Sequence, residues 1–458
     1  MLNKDKLNPH LKTDLFVSVL LCGVMFAFIN LTGSSVGIDG GSVPVTALLF
    51  SLTYLGGLCY FSVHRDFAAP ETFLFSAAAL AALVYMRVSL MPTVSPDYDE
   101  FLVNWLVEMK GLSLRGAVAA NIGDYNTPYL YFLAIVSRFD FSNVILIKWL
   151  SCCFDVVLAA FCMRTVALFC RSTTVRVLTF VAVMATPTVF LNSAHWGQCD
   201  SVFAAFCVAS MYYCLRNKSR AAVIMFSVAF TIKLQAIFIL PALIVCLLIG
   251  RIRLRDLAWF PAVFVASIIP AILCGRPVYD TVSIYLKQAD SYYNRLVLNA
   301  PTFYQLFGNV KFDCYNSLAI MLAGTAVITF IFVLWHFRES IGQNEIVMAF
   351  LLSALIVPYF LPRMHDRYFF IADVISVVYF LACNRRMWYV PLTVVFSSFV
   401  SYSAYILGGE LLDQKYTSFA LLTVIILLAR ELVTRLAARS AYAQQGDIQK
   451  GDNINEPA

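Results

Sequence analysis

His195-Trp196-Gly197-Gln198-Cys199-Asp200 lies between two apolar runs, 175–193 and 200–215. A polar knot between such runs is what a membrane protein shows where one helix hands over to the next. A spanning helix needs about 20 apolar residues, and the chain repeats that length on both sides of the knot. Candidate spans fall at approximately 13–31, 43–63, 71–91, 142–168, 175–193, 200–215, 220–235, 236–250, 256–274, 315–335, 345–361, 367–383, 388–407 and 416–436. Several near 200–250 are short, as where helices break at a cavity. The runs are continuous rather than alternating, which favours helices over a β-barrel. The expected fold is therefore all-α, a polytopic transmembrane bundle of 12–14 spans. Only 13% of the 458 residues are charged, against about 25% in a soluble domain.

Charge placement gives an orientation. With the N-terminus in the cytoplasm, short loops on that side collect Arg65; Arg164, Arg171 and Arg176; Arg216, Lys218 and Arg220; Arg251, Arg253 and Arg255; Arg338; Arg385 and Arg386. Lys4, Lys6, Lys12 and the tail (Arg430, Arg435, Arg439, Lys450) join them. This is the positive-inside pattern, so the net charge of +6 reads as topology and not as a nucleic-acid footprint. The first apolar run, with no small-residue cleavage site, reads as a signal anchor. The cysteines lie mostly within apolar runs and read as small hydrophobes. Cys199, Cys274 and Cys314 share the outer side, where a disulfide is conceivable.

One membrane domain is expected over residues 1–440, with a disordered cytoplasmic tail over 441–458. Two long stretches face outward, about 92–142 and 275–315. In the first, Phe101, Leu102, Trp105, Leu106 and Met109 form an apolar stripe at helical spacing, opposite Asn104 and Glu108. That pattern suits a helix lying in the interface. Pro128 marks a turn ahead of an aromatic segment. In the second stretch, Tyr285, Tyr292, Tyr293, Phe303 and Tyr304 interleave with Lys287 and Arg295.

Five polar clusters fall on the outward side, and polar groups at membrane depth are usually functional. Asp97-Tyr98-Asp99 opens the first outer loop. It imitates a metal-binding nucleotide-sugar signature, but nucleotide sugars are cytosolic and no glycine-rich turn follows a strand. The better reading makes Asp97 a general base; the bland one makes both acids solvated. Gly123-Asp124-Tyr125 offers a second carboxylate and an aromatic ring for substrate. In the knot, His195 and Gln198 are candidate substrate-binding residues, with a plain wet turn as the bland reading, and Asp200 either caps a helix or orients a cation. Lys233 and Gln235 interrupt an apolar run. Lys233 either snorkels to the interface or meets a lipid phosphate. Arg363-Met364-His365-Asp366-Arg367 places two arginines and a histidine on the side where basic residues are scarce. Arginine forks hold phosphate oxygens in pairs, and a plain ion pair with Asp366 is the alternative. His64-Arg65-Asp66 mimics a kinase tripeptide without kinase context. Asn217-Lys218-Ser219 matches a glycosylation acceptor but faces inward.

Ser95-Pro96-Asp97-Tyr98 followed by Trp105, then Gly123-Asp124-Tyr125 with Pro128-Tyr129, resembles the first-loop pattern of the dolichyl-phosphate-glucose glucosyltransferases. The 195–200 knot, Lys233-Leu234-Gln235 and Met364-His365-Asp366-Arg367-Tyr368 are similar to bacterial proteins related to the GPI mannosyltransferases. Both belong to the GT-C superfamily of membrane glycosyltransferases, and the resemblance covers roughly Asp97 to Asp373. It implies an inverting transfer from a polyprenyl-phosphate sugar, with Asp97 as base and His365 and Arg367 at the donor phosphate. Three spans precede Asp97, where many relatives have one.

The expected activity is transfer of a single mannose or glucose from a polyprenyl-phosphate donor to a glycan or lipid-linked acceptor. Asp97 would deprotonate the acceptor hydroxyl, and Arg363, His365, Arg367, Lys233 and Arg295 would stabilise the departing phosphate. The scheme calls for no cofactor and no metal; membrane lipids are the other partners, and no nucleic acid is expected. The setting would be a bacterial cytoplasmic membrane with the site facing outward, or the endoplasmic-reticulum lumen in a eukaryote. The rivals are a flippase for a lipid-linked glycan, which would more often show paired broken helices in inverted repeats, and a polysaccharide polymerase or ligase. Orientation is directly measurable. Single cysteines at Asp99 and Arg363, in a background without reactive thiols, should label from outside intact cells, and one at Lys218 should not. The reverse pattern would remove the outward site.

Overall fold

The structure, a computed structural model, describes residues 8–285, 295–307 and 312–452. Lys4, Lys6, Lys287, Tyr292 and Tyr293 lie outside them. In chain order the helices are α1 (Leu11–Thr32), α2 (Val43–Val63), α3 (Pro70–Ser89), α4 (Val103–Lys110), α5 (Leu114–Ala119), α6 (Thr127–Val136), α7 (Asn143–Val166), α8 (Thr173–Ala185), α9 (Pro187–Phe190), α10 (Asp200–Leu215), α11 (Ser219–Ile232), α12 (Leu240–Leu248), α13 (Trp259–Cys274), α14 (Val278–Val282), α15 (Phe312–His336), α16 (Gln343–Phe360), α17 (Phe370–Ala382), α18 (Tyr389–Ile406) and α19 (Gln414–Asp452). Among the described residues, the strands are the two-residue β1 (Val297–Leu298) and β2 (Met364–His365). The all-α expectation holds.

Among the described residues, eight helices are long and apolar enough to cross a bilayer, and a ninth span arises if α8 and the Pro187–Trp196 segment count as one. The higher expected number included shorter apolar helices at Thr127–Val136, Asp200–Leu215, Ser219–Ile232, Leu234–Leu248 and Phe370–Ala382. Pro187 explains the 49° bend after α8. It has no N–H to give and disfavours helical backbone in the residue before it; Thr186 accordingly sits at ψ 124°. The closing helix is described through Asp452. Cys199 and Cys274 are free thiols, and the Cys314 side chain lies outside the described ones.

The chain divides into two compact units. Unit 1 comprises Met1–Val208, Ser227–Leu234 and Pro261–Ser291. Within it, α2 packs against α1, α3 and α7, and α8 packs against α3 and α7. Gly57 permits the α2–α3 approach, since a Cβ there would stand 2.4 Å from Leu80 Cδ2. Between α3 and α7 lies a fully buried ion pair. Arg87 Nε donates to Asp155 Oδ2 at 2.8 Å, with side chains 1% and 0% exposed. Arg87 Nη2 also donates to the Met184 carbonyl at 2.9 Å, where α8 ends. Ser193 Oγ donates to Asp155 Oδ2 at 2.6 Å, and Ser201 donates to Oδ1. The Asp155 carboxylate thus ties α3, α7 and both sides of the 195–200 knot.

Between residues 98 and 110, Leu102 is buried just before α4 and Leu106 and Met109 are buried along it, and Asn104 and Glu108 are exposed. Phe101 departs from the expected stripe at 48% exposure, because Tyr98–Leu102 forms a wider π-helical turn that rotates it away. Asn126 starts α6, its Oδ1 accepting from Thr127 N at 2.8 Å, with Pro128 in the first turn, where its missing N–H costs nothing.

Unit 2 comprises Ala209–Phe226, Gln235–Phe260 and Tyr292–Ala458. α16 is its centre, buried from Glu345 to Tyr359 and packed against α12, α15, α17 and α19. Glu345 is fully buried, pairs with Arg439 and accepts from Gly342 N at 3.0 Å. β1 and β2 run parallel, Val297 opposite Met364 and Leu298 opposite His365. The Arg363 amide extends the ladder to the Leu296 carbonyl at 2.8 Å.

Arg87 and Asp155 generate a stability test. Removing one member of a buried pair leaves an uncompensated charge and costs about 3–5 kcal/mol. Arg87→Met should lower the thermal unfolding temperature strongly, whereas Arg87→Met with Asp155→Leu should recover much of the loss. A single variant as stable as wild type would deny the pair its structural role.

Candidate active site

The loop that follows α3 is held before Asp97 is reached. Lys148, buried near the start of α7, donates to the carbonyls of Leu90 and Met91, each at 3.2 Å, to the Thr93 carbonyl and to Thr93 Oγ1 at 3.0 Å. These include helix-end carbonyls that have no partner within α3. Thr93 Oγ1 then donates to the His195 carbonyl at 3.2 Å, and Ser95 Oγ to the Trp196 carbonyl at 2.7 Å. Loop and knot are thereby stitched together at successive residues.

The knot has a backbone to match. Leu191–Trp196 forms a π-helical turn that ends at Gly197 with φ 80°, a left-handed conformation that glycine adopts without the Cβ clash of other residues. That reversal lets the Gln198 amide reach the Asn192 carbonyl at 3.0 Å. It also turns the Trp196 and Gln198 side chains onto one atom. Asp97 Oδ2 accepts from Trp196 Nε1 at 2.9 Å and from Gln198 Nε2 at 2.5 Å. Trp196 and Gln198 are buried, whereas Asp97 is half-buried. Asp97 is therefore an oriented carboxylate at a partly wet position, while Asp99 is exposed.

Behind Asp97 stands an ion pair. Lys233 and Asp200 are both buried and in contact, and Asn192 Nδ2 donates to Asp200 Oδ2 at 2.7 Å. Lys233 sits between the end of α11 at Ile232 and the 3₁₀ turn Leu234–Ile239. The Lys233 ammonium lies 5.8 Å from the Tyr125 ring centre and 5.8 Å from that of Phe203. Tyr125 in turn donates its hydroxyl to Gln198 Oε1 at 3.2 Å and meets the Trp105 ring edge-on at 6.0 Å. Asn126 Nδ2 donates to the Tyr285 hydroxyl at 3.2 Å; burial pushes that phenol's pKa upward.

Unit 1 thus brings together Asp97, Tyr125, His195, Gln198, Asp200 and Lys233. Asp124 occupies the exposed turn beside Tyr125. His195 Nδ1 is buried without a hydrogen-bond partner among the described residues. Gln235, Arg295, Arg363, His365 and Arg367 belong to unit 2. There a left-handed Arg363, φ 62°, leads directly into β2. Arg363, His365 and Arg367 are half-buried, Arg367 lies 3.9 Å from Asp366, and the His365 and Tyr368 rings stand 5.2 Å apart. Arg295 is exposed, and Gln235 Oε1 is buried without a partner among the described residues.

Sequence reasoning passed over Arg87, Lys148 and Asp155. Each is a charge inside a run counted as a span, and that alone marks a residue as paired or functional. Among the described residues no group of three or more His, Cys, Asp or Glu is placed to hold a metal ion.

The family model for Glycosyltransferase family 87 matches residues 124–362, more than half of the chain, and the chain belongs to that family. No curated protein and no solved structure matches it.

Trp196 offers a selective probe of the Asp97 arrangement. Trp196→Phe keeps most of the ring and removes the N–H. A hydrogen bond to a charged group contributes about 1.5–3 kcal/mol, so glycosyl transfer should slow by roughly tenfold to hundredfold with the fold intact. Unchanged turnover would show that this donor does not orient a working carboxylate.

Proposed function

We propose that this member of glycosyltransferase family 87 is an inverting hexosyltransferase. It takes one mannose or glucose from a polyprenyl-phosphate donor and places it on a glycan or lipid-linked acceptor at the non-cytosolic face. The observation that carries the reading is the Asp97 carboxylate, oriented through one oxygen by Trp196 and Gln198 at a half-buried position.

In the proposed step, Asp97 accepts the proton of the acceptor hydroxyl. The acceptor oxygen attacks the anomeric carbon from the face opposite the phosphate. The carbon–oxygen bond to phosphate breaks, its electron pair leaves with polyprenyl phosphate, and the configuration inverts. A carboxylate held in hydrogen-bonding reach suits this proton transfer. The leaving phosphate gains a negative charge, which preorganised cations stabilise. Tyr125, Asp124 and His195 are assigned to acceptor and donor contacts on the Asp97 side, and Lys233 keeps a buried positive charge beside Tyr125. The unit 2 loop is assigned a phosphate-binding role from its own chemistry, two guanidinium forks and an imidazole within five residues.

A donor–acceptor assay with polyprenyl-phosphate hexoses, together with separate donor-binding measurements, tests these roles. Asp97→Asn keeps size and cannot take a proton, so turnover should fall by about 10²–10⁴-fold with donor affinity near wild type; Asp99→Asn should do far less. Arg367→Lys keeps charge and loses the planar fork, and should weaken donor binding. Retention of more than about a third of wild-type turnover in Asp97→Asn, far above what a lost general base permits, would move the base elsewhere, with Asp124 or Asp200 next. Unchanged donor affinity in Arg367→Ala and His365→Ala would release that loop from the phosphate.

A further inference from the structure

Within unit 1, an open groove of about 480 Å³ runs between α2 and α7, lined by Leu52, Gly56 and Tyr60 on one side and Trp149, Val157 and Arg164 on the other. Its polar hooks are already used. Trp149 Nε1 donates to the Leu49 carbonyl at 3.0 Å and to Thr53 Oγ1 at 2.9 Å, and Thr53 Oγ1 lies 3.2 Å from Cys153 Sγ. Apart from the Tyr60 hydroxyl, what remains along the floor is apolar. The groove is open at Gly56, where a Cβ would meet nothing within 4 Å, whereas the neighbouring Gly57 is needed for contact with Leu80.

Charge is confined to one end. The Arg164 guanidinium carbon sits 5.7 Å from the Phe161 ring centre, with Tyr60 across the groove. From Trp149 to Arg164 the helix rises about 22 Å at ~1.5 Å per residue. One leaflet of the hydrocarbon core is roughly 15 Å, half of ~30 Å. The Asp97 loop is tied to the opposite end of α7, through Lys148.

We propose that this groove holds one anionic glycerophospholipid, its phosphate at Arg164 and one acyl chain along Gly56 and Val157. A guanidinium fork holds a phosphate through paired hydrogen bonds, and basic pockets between spanning helices recognise anionic headgroups. The site is separate from the transfer chemistry, since a phosphate at Arg164 lies at the far end of α7 from Asp97. A helix of a second copy would also value the small Gly56, but it would have no use for a cation at one end of an otherwise apolar groove.

The test uses full-length protein, delipidated in detergent and titrated with phosphatidylglycerol or phosphatidylcholine under native mass spectrometry. Wild type should bind one phosphatidylglycerol in preference to phosphatidylcholine. Arg164→Gln should weaken phosphatidylglycerol by at least about fivefold, the equivalent of ~1 kcal/mol for one basic side chain at a lipid surface, and abolish the preference. Gly56→Leu should fill the groove and lower binding of both lipids, while Gly56→Ala binds as wild type; circular dichroism and thermal unfolding confirm that each variant is folded. Equal binding of the two lipids by wild type, or folded Gly56→Leu and Arg164→Gln variants that bind as wild type does, would overturn the proposal. So would a dimer that Gly56→Leu converts to monomer with lipid binding unchanged. Neither residue belongs to the transfer machinery, so failure here leaves the glycosyltransferase reading in place.

Discussion

A carboxylate inside a membrane protein must be paired, and in unit 1 that requirement organises the region around Asp97. Asp155 is fully buried and is answered by Arg87, Ser193 and Ser201. These partners come from α3, from the π-helical turn and from the first turn of α10. Satisfying one charge therefore fixes the position of three segments. Asp200 and Lys233 repeat the device on the other side of the knot. Buried pairs of this kind add little net stability against an apolar alternative, but breaking one is costly. Their effect is to allow very few arrangements of the chain between Asn192 and Asp200.

That restriction gives the Asp97 carboxylate its setting. In its proposed role as base, it gains from being held at its target rather than searching for it. Asp97 sits on a loop, normally the mobile part of a fold. Here the loop is anchored by Lys148 at its start and by backbone contacts to His195 and Trp196. Trp196 and Gln198 then orient the carboxylate. The rigidity comes from the spanning helices and is passed through hydrogen bonds to a residue near their ends.

Family membership accounts for what chemistry the chain performs, and the local geometry for how its residues are disposed to perform it. The same all-α architecture would serve a transporter equally well, because fold alone does not specify function. The distinction rests on the family match over residues 124–362. The cationic loop of unit 2 contributes a different element, a short parallel ladder that carries Arg363 and His365 at a fixed register.

Helix type and membrane character were legible in the sequence because both follow from run length and hydropathy. α1, α2, α3, α7, α13 and α16 coincide closely with apolar runs. The residues that meet around Asp97 were also visible as polar clusters at the ends of such runs, since a polar group near lipid is conspicuous wherever it falls. Arg87, Lys148 and Asp155 were as conspicuous, yet their meaning lay in their partners, 68 residues apart for Arg87 and Asp155. Their pairing depends on which helices pack side by side, and no local pattern carries that information. The break at Thr186-Pro187 followed from proline chemistry, but the left-handed turn at Gly197 that aims Gln198 at Asp97 did not. By itself the sequence determined a helical membrane protein with a carboxylate at the opening of its first long loop. The tertiary structure alone decided that Asp97 is gripped by Trp196 and Gln198, because burying Asp155 and Asp200 forces distant helices to supply the compensating charges.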